Sequence, residues 1–431
     1  MKKLILNGKL KGSSLIYSLM ISLLVSALLS AYLMADFSYR GLVRKTYAEL
    51  NVQELLRSGL SLALAKEGLN KVDALAWQHK ADSIWITYED WGGFKLVQAR
   101  ASHFQEQGKL TALIGQKLPS DKQGLILSDE GFPLVLQADT KVQGNMLVPG
   151  GEILSERYEG KAFTGDKPSP KQIHRSKKLY QTDFPDIPWP VKTILDSLQN
   201  QISSAQHLVL RDSITQNWDA DLRMIKVRGN LHLAEGSYQK KIMFMATESI
   251  EIEVGASLED VILIAPSIKM QSGVRGRFQA FASDSLLLSD DVQLQFPSLL
   301  ALSAKPDRPA ILEIKTGCRI EGAVLFYQPI DFTPPSTLRP QVRIGTRSTV
   351  YGTVHVAGNL ELHGVVGGMV IAKGFVLRTA VGTVRNHLLN AQLWEDRLAP
   401  AYAGPFLFAN TQHKLLKIYH HERKKLATTW K

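Results

Sequence analysis

Apolar and polar residues recur at fixed offsets through much of this chain. Ser249-Ile-Glu-Ile, Ser267-Ile-Lys-Met and Ser285-Leu-Leu-Leu open three successive segments of 18 residues. Gly255 aligns with Gly273 and Asp291, Ala256 with Val274 and Val292, and Ile264 with Ala282 and Leu300. The template has apolar residues at offsets 0, 2 and +8, Gly or a short polar residue at +10, and an apolar run at +11 to +14; two of the regular segments fit the later offsets loosely, with Gly276 at +8 and Phe278 and Phe296 at +10. The same template recurs at Leu312/Ile314 with Ile320 and Gly322, and at Val342/Ile344 with Val350 and Gly352. A contracted copy has Leu360/Leu362, Val366 and Gly368. Earlier copies are Leu231/Leu233 with Ile242 to Met245, and Leu134/Leu136 with Val142 and Gly144.

A period near 20 with apolar residues at constant offsets marks a solenoid, because each coil needs its neighbours to bury its apolar face. Alternation within Ile250-Glu251-Ile252 is strand-like. Eight candidate coils at the strand spacing of about 4.8 Å would stack to about 40 Å. A sandwich of antiparallel hairpins also gives short strands at regular spacing. It has no reason to hold residue classes at one offset through three unbroken units. Parallel coils therefore predict that Ile250, Ile252, Ile268, Met270, Leu286, Leu288, Leu312 and Ile314 point inward, with Glu251, Lys269 and Glu313 outside. Glycines such as Gly255, Gly322, Gly352 and Gly368 mark corners.

The amino terminus carries a different pattern. Residues 12–35 hold no charge and are rich in Leu, Ile, Met and Ala, enough for a transmembrane helix. The length of the run favours a retained anchor over a cleaved signal peptide. Lys2, Lys3, Lys9 and Lys11 precede it, while Arg40, Arg44 and Lys45 beyond are partly balanced by Asp36 and Glu49. This bias places residues 1–11 in the cytoplasm and the bulk of the chain on the far side of the membrane. Asn51 to Glu54 reads as a capping box that restarts a helix ending near Gly68. Ile84–Tyr88, Trp91-Gly92-Gly93 and Phe94–Ala99 read as a hairpin, with a third strand over 110–114.

The expected class is thus mainly β: a transmembrane helix, a small α+β unit, then a parallel β-helix with an insertion and a C-terminal cap. The expected divisions are 1–11, cytoplasmic; 12–35, membrane helix; 36–125, helix plus β-meander; 126–153, a first coil; 154–220, a Pro- and Lys-rich insertion with a short helix over 191–202. The coils continue over 221–385, broken by prolines over 331–340. Residues 386–431 are a cap over the open end of the coils plus a basic tail.

Composition adds limits. The chain has 431 residues, net charge +11 and a single cysteine, Cys318, which rules out an internal disulfide. No Cys/His spacing suits zinc, and no Gly-rich loop precedes a helix, so no cofactor and no nucleic-acid partner is expected. Stacking the offsets tests for catalysis. Glu259-Asp260 falls under Arg277, and Asp290-Asp291 over Ser272-Gly273, so no offset puts acids on adjacent regular coils. Asp290-Asp291 reads as a solvated corner, and His355 and His363 read as surface residues.

Two resemblances follow. The coils over 224–384, with apolar-x-apolar strands and Gly-Asn-Leu at 229–231 and 358–360, resemble polymer-forming bactofilins. That likeness implies a cofactor-free scaffold that self-associates. Lys11-Gly12-Ser13 before a long apolar helix and a β-meander resembles type IV pilins and pseudopilins. It implies processing between Gly12 and Ser13, a place in the bacterial inner membrane, and envelope or pilus-like proteins as partners. Tyr17 stands where that family commonly has Glu. The expectation is a non-enzymatic envelope protein presenting an assembly or adhesion surface, with a glycan as a further partner. A β-helix enzyme that binds or degrades polysaccharide is the alternative.

Overall fold

The computed structural model describes residues 13–65, 75–79, 82–116, 124–180, 184, 206–305, 308–328, 338–398, 402–406 and 416–420. Gly12, Gly68, the helix expected over 191–202, Pro334 and Pro335, and the chain after His420 lie outside them. The chain is mainly β, with one long apolar helix near its amino terminus. Backbone contacts divide it into two compact units. One holds the helix and residues up to 87 and 98–110; the other holds 88–97 and the chain from 111 onward.

Helix α1 (Ser13–Ala65) is unbroken over 53 residues. Asn51 therefore caps nothing. It lies inside the helix, and its Nδ2 meets His103 Nε2 at 3.2 Å. The expected membrane segment and the expected helix after it are one helix because no Pro or Gly cluster stops it. Its large apolar residues from Leu15 to Met34 are all exposed to more than half their area. From Val52 on, one stripe is buried: Val52, Leu56, Leu60 and Ala63. These lie three or four residues apart, on one helical face. Val52 and Leu56 lie against Gly108, and Gly59 against Ile84 and Ala99.

A five-stranded sheet follows, with β1 (Leu75–His79), β2 (Asp82–Trp91), β3 (Phe94–His103) and β4 (Glu106–Gln116) in order, and Leu416–His420 antiparallel on the outer edge of β4. The three expected strands are all present, each longer than read. The turn between β2 and β3 is Gly92-Gly93, with Gly92 at φ 61°.

The rest of the second unit is a solenoid-like stack of parallel strands. All eight residues expected to point inward are buried, none above 1% exposure. Alternation does this: on a strand successive side chains face opposite ways, so Glu251, Lys269 and Glu313 stand outside. Each coil has three faces. In one coil they are 249–252, 256–259 and 261–265, and their inward residues belong to one continuous core.

The constant spacing of 18 holds on the first two faces and fails on the third. Ser267 stands beside Ser285 and Leu258 beside Gly276, but Ile262 stands beside Gln279, and Gln279 beside Leu299. Ile264 therefore neighbours Phe281 rather than Ala282, and Leu300 neighbours Ala280. Asp260 (φ 56°) is an extra residue at one corner, and Phe296-Pro297 occupies the same corner two coils on. Gly322, Gly352 and Gly368 do stack at that corner. At Gly352 (φ 158°) a Cβ would run into the carbonyl oxygen of Gly322.

Following the third face gives the order of the stack. Strand 223–227 lies beside 242–246, followed by 261–265, 278–282, 298–303, 322–327, 352–356 and 368–372. The next level is 125–127, then 146–148 and 173–175. The coil that comes early in sequence thus lies beyond the last one. Segments 387–389 and 392–394 pair with 135–137 and 141–143. So 387–394 is a further coil edge with Leu388 and Leu393 buried, not a cap, and the chain from 125 to 175 continues the stack over it. The stretch expected as an insertion contributes strands at both ends: 173–175 at one, and 206–210 paired with 229–233 at the other.

Candidate functional site

The interior of the coils is apolar, so chemistry is confined to outward positions on the three faces. On the third face these positions are covered. Met243, Met245, Ile262, Ile264, Phe281, Leu299, Ala301 and Leu325 form a second core with Trp91, Phe94, Leu96, Leu113 and Trp218. Trp91 and Trp218 meet edge to face at 5.5 Å. Gln279 fixes the hairpin turn: its Oε1 accepts from Gly93 N at 2.7 Å, and its Nε2 donates to Trp91 O at 3.0 Å. The segment 402–406 is tied in as well. Tyr402 is buried, and its hydroxyl donates to Gly322 O and accepts from Thr353 N, each at 3.2 Å. Gly404 and Phe406 bond to Gln116 and Gly93. Farther along, Leu179 and Phe184 pack on Ala357.

His355 lies on this covered face and is buried, not on the surface as its sequence context suggested. Burial pushes its imidazole down to about 3, so it is neutral at ordinary pH. Its counterpart His363 is on the first face, 3.5 Å from Glu361.

The first face carries charges of alternating sign. Glu251 lies between His232 (3.6 Å) and Lys269 (2.9 Å). The hydrogen bond from Lys269 holds its carboxyl below the usual range. Beyond Leu287, Arg343 stands between Glu313 (3.4 Å) and Glu361 (3.6 Å), and Arg378 meets Glu361 at 2.9 Å. These residues line a cleft of about 280 Å3 with Lys315 and Thr316. Burial of Glu361 would raise its pKa, but hydrogen bonds and charge from His363 and Arg378 win and bring it down to about 2. A carboxylate held ionised in this way is a poor proton donor.

The sign of this shift sets a pH dependence. A carboxyl whose folded pKa lies below its unfolded value adds stability above the unfolded value of about 4.3 and loses it as pH falls toward the folded one. The stabilising contribution of Glu361 should therefore be constant from pH 7 to about 4.5 and fade between there and about 2. Urea midpoints measured across that range should fall less steeply in Glu361→Gln than in the parent chain.

The second face mixes charge with aromatic rings. Arg277 is buried between Glu259 (2.6 Å) and Asp260 (2.7 Å). The sequence stacking thus found the right partners. Arg319 donates to Glu321 at 2.8 Å, and its guanidinium lies over the Tyr351 ring at 5.0 Å. Arg397 lies over Trp394 at 4.1 Å. Phe296, Arg319, Glu321, Tyr351, Arg397 and Leu398 surround a cleft of about 300 Å3 with Tyr402 at its base. This constellation was missed from sequence, although Glu321, Tyr351, Gly367 and Trp394 share one outward register position.

The remaining expected positions are placed as follows. Asp290 and Asp291 are exposed at a corner, where Asp290 Oδ1 accepts from Thr316 N at 3.0 Å. Cys318 is buried, its Sγ is 3.1 Å from Ser289 O, and burial pushes its thiol up. Ser13 is the first residue of α1. Among the described residues, no cluster of three or more His, Cys, Asp or Glu side chains could hold a metal. No protein-family model, no curated protein and no solved structure matches the chain.

Proposed function

We propose that this chain is a non-enzymatic bacterial envelope protein, held in the inner membrane by α1, whose coils present a surface for assembly or adhesion. The observation that carries this reading is the helix. Its most apolar window has mean hydropathy 2.0 and no buried residue. Such a surface is stable in lipid and unstable in water. The lysine bias orients residues 1–11 to the cytoplasm and the coils to the periplasm or beyond. The coils support a scaffold role because their outward acids are engaged with bases: Glu251 with Lys269, Glu259 and Asp260 with Arg277, Glu361 with Arg378. Neither general acid–base pairs nor a cofactor enters the proposal. The pilin-like start and the bactofilin-like coils make other envelope or pilus-like proteins, or further copies of this chain, the partners.

Two measurements test this. A reporter fused after Lys431 should be active only in a periplasmic assay; cytoplasmic activity would reverse the orientation. Mass spectrometry of the mature amino terminus separates the anchors. A start at Ser13 supports pilin-type processing, an intact Met1 a plain anchor, and a start near Tyr32 would overturn the membrane-held reading.

A further inference from the structure

We propose that the cleft on the second face is a binding subsite for an acidic saccharide, a sugar bearing a carboxylate. The proposal rests on the adhesion reading above and gives it a ligand class. The cleft's volume of about 300 Å3 is at the lower end for small-ligand pockets. Its floor is apolar, made by Phe296, Leu398 and the buried ring of Tyr402. Its rim carries two guanidinium groups, each stacked on an aromatic ring. Stacking uses the flat face of a guanidinium, fixes its plane and leaves the in-plane N–H donors available.

The two arginines differ. Arg319 is engaged through Nε and Nη2 with Glu321. Arg397, backed by Trp394, has no carboxylate within ion-pair distance among the described residues. A fork of N–H donors held in one plane matches a carboxylate with two parallel bonds. Glu321 supplies an acceptor for neighbouring hydroxyls. Gly367 lets Arg397 and the Tyr351 ring close in over it: a Cβ there would stand 2.9 Å from each. Tyr351 and Trp394 stand two levels apart, about 10 Å at the strand spacing. That separation suits an extended oligosaccharide lying along the stack. A bare inorganic anion would leave the apolar floor uncovered.

The test is equilibrium titration of the full chain in lipid discs with tri-galacturonate, with maltotriose, inorganic phosphate and an acidic tripeptide as comparators. Saturable binding of tri-galacturonate alone is expected, weakened roughly tenfold or more in Arg397→Gln, the loss of one charge-assisted pair. Tyr351→Ala should weaken it similarly. If Tyr351→Ala misfolds by circular dichroism, Arg397→Gln decides. No saturable binding, equal binding of maltotriose, preference for phosphate or peptide, or unchanged affinity in Arg397→Gln would each overturn the site. Product chromatography on the same mixtures keeps the two proposals apart. Cleaved sugar overturns the non-enzymatic reading and leaves the subsite standing; absent binding overturns the subsite and leaves the scaffold standing.

Discussion

Ile268→Asp should leave no folded solenoid-like unit. Ile268 is fully buried in the inner core, between Ile250 of one coil and Leu286 of the next. No base lies in that core to receive a carboxylate. An unpaired buried charge, even after it protonates, costs about 5 kcal/mol or more. That is a large part of the 5–15 kcal/mol by which domains are usually stable. The neighbouring Lys269→Ala is the control, because Lys269 is half exposed and its ion pair with Glu251 is open to solvent on the lysine side. It should shift stability by no more than about 0.5 kcal/mol. Circular dichroism and urea unfolding of both variants check the contrast. A cooperative transition for Ile268→Asp at the parent midpoint would contradict the inward assignment of the whole first face.

Arg277→Ala should be the most damaging change to a charged residue. Arg277 and Asp260 are both less than a tenth exposed, and the guanidinium grips Asp260 through Nε and Nη2 at 2.7 and 2.9 Å. Removing one partner of a buried pair leaves the other charge desolvated, at about 3–5 kcal/mol. Asp260 has φ 56° at the corner where the third face loses register, so the loss falls where the backbone depends on that contact. Arg277→Met with Asp260→Asn should recover much of the stability, since neither buried charge remains. A urea midpoint equal to the parent's for Arg277→Ala would show that Asp260 is satisfied without the guanidinium.

The inner faces were legible because burial acts on every second residue. Ile250, Ile268, Leu286 and Leu312 had to be apolar, and the pattern repeats with the coil. The register of the third face was not, because one or two inserted residues at a corner leave the strands before and after unchanged. Asp260 and Phe296-Pro297 look like ordinary turn residues in sequence. His355 was misplaced because an outward position reads as solvent unless the cover is known, and the third face is covered by segments far away in sequence, Trp91, Phe94 and Leu96 among them. The restart of the helix at Asn51 was a local signal overruled by a longer one: residues around it favour continuing the helix, and a capping box acts only where the chain already turns. The clefts were hidden for a different reason. Arg319, Tyr351 and Arg397 lie in separate segments, and only stacking brings their rings and guanidinium groups together.

The level shared by 392–394 and 125–127 has a consequence for the order in which the protein is made. Residues 125–148 leave the ribosome early, but the strands they dock on, 365–372 and 387–394, come near the end. Thr140 waits for the carbonyl of Leu388, 248 residues later. Contacts this distant in sequence are slow to form. The early segment can pair within itself, but its edge toward 365–372 and 387–394 must stay bare during synthesis, and coils that assemble in sequence order reach an open edge at 394 that an older part of the same chain closes. A chain interrupted before that point leaves both edges bare, so closure of this junction reports that synthesis has passed residue 394.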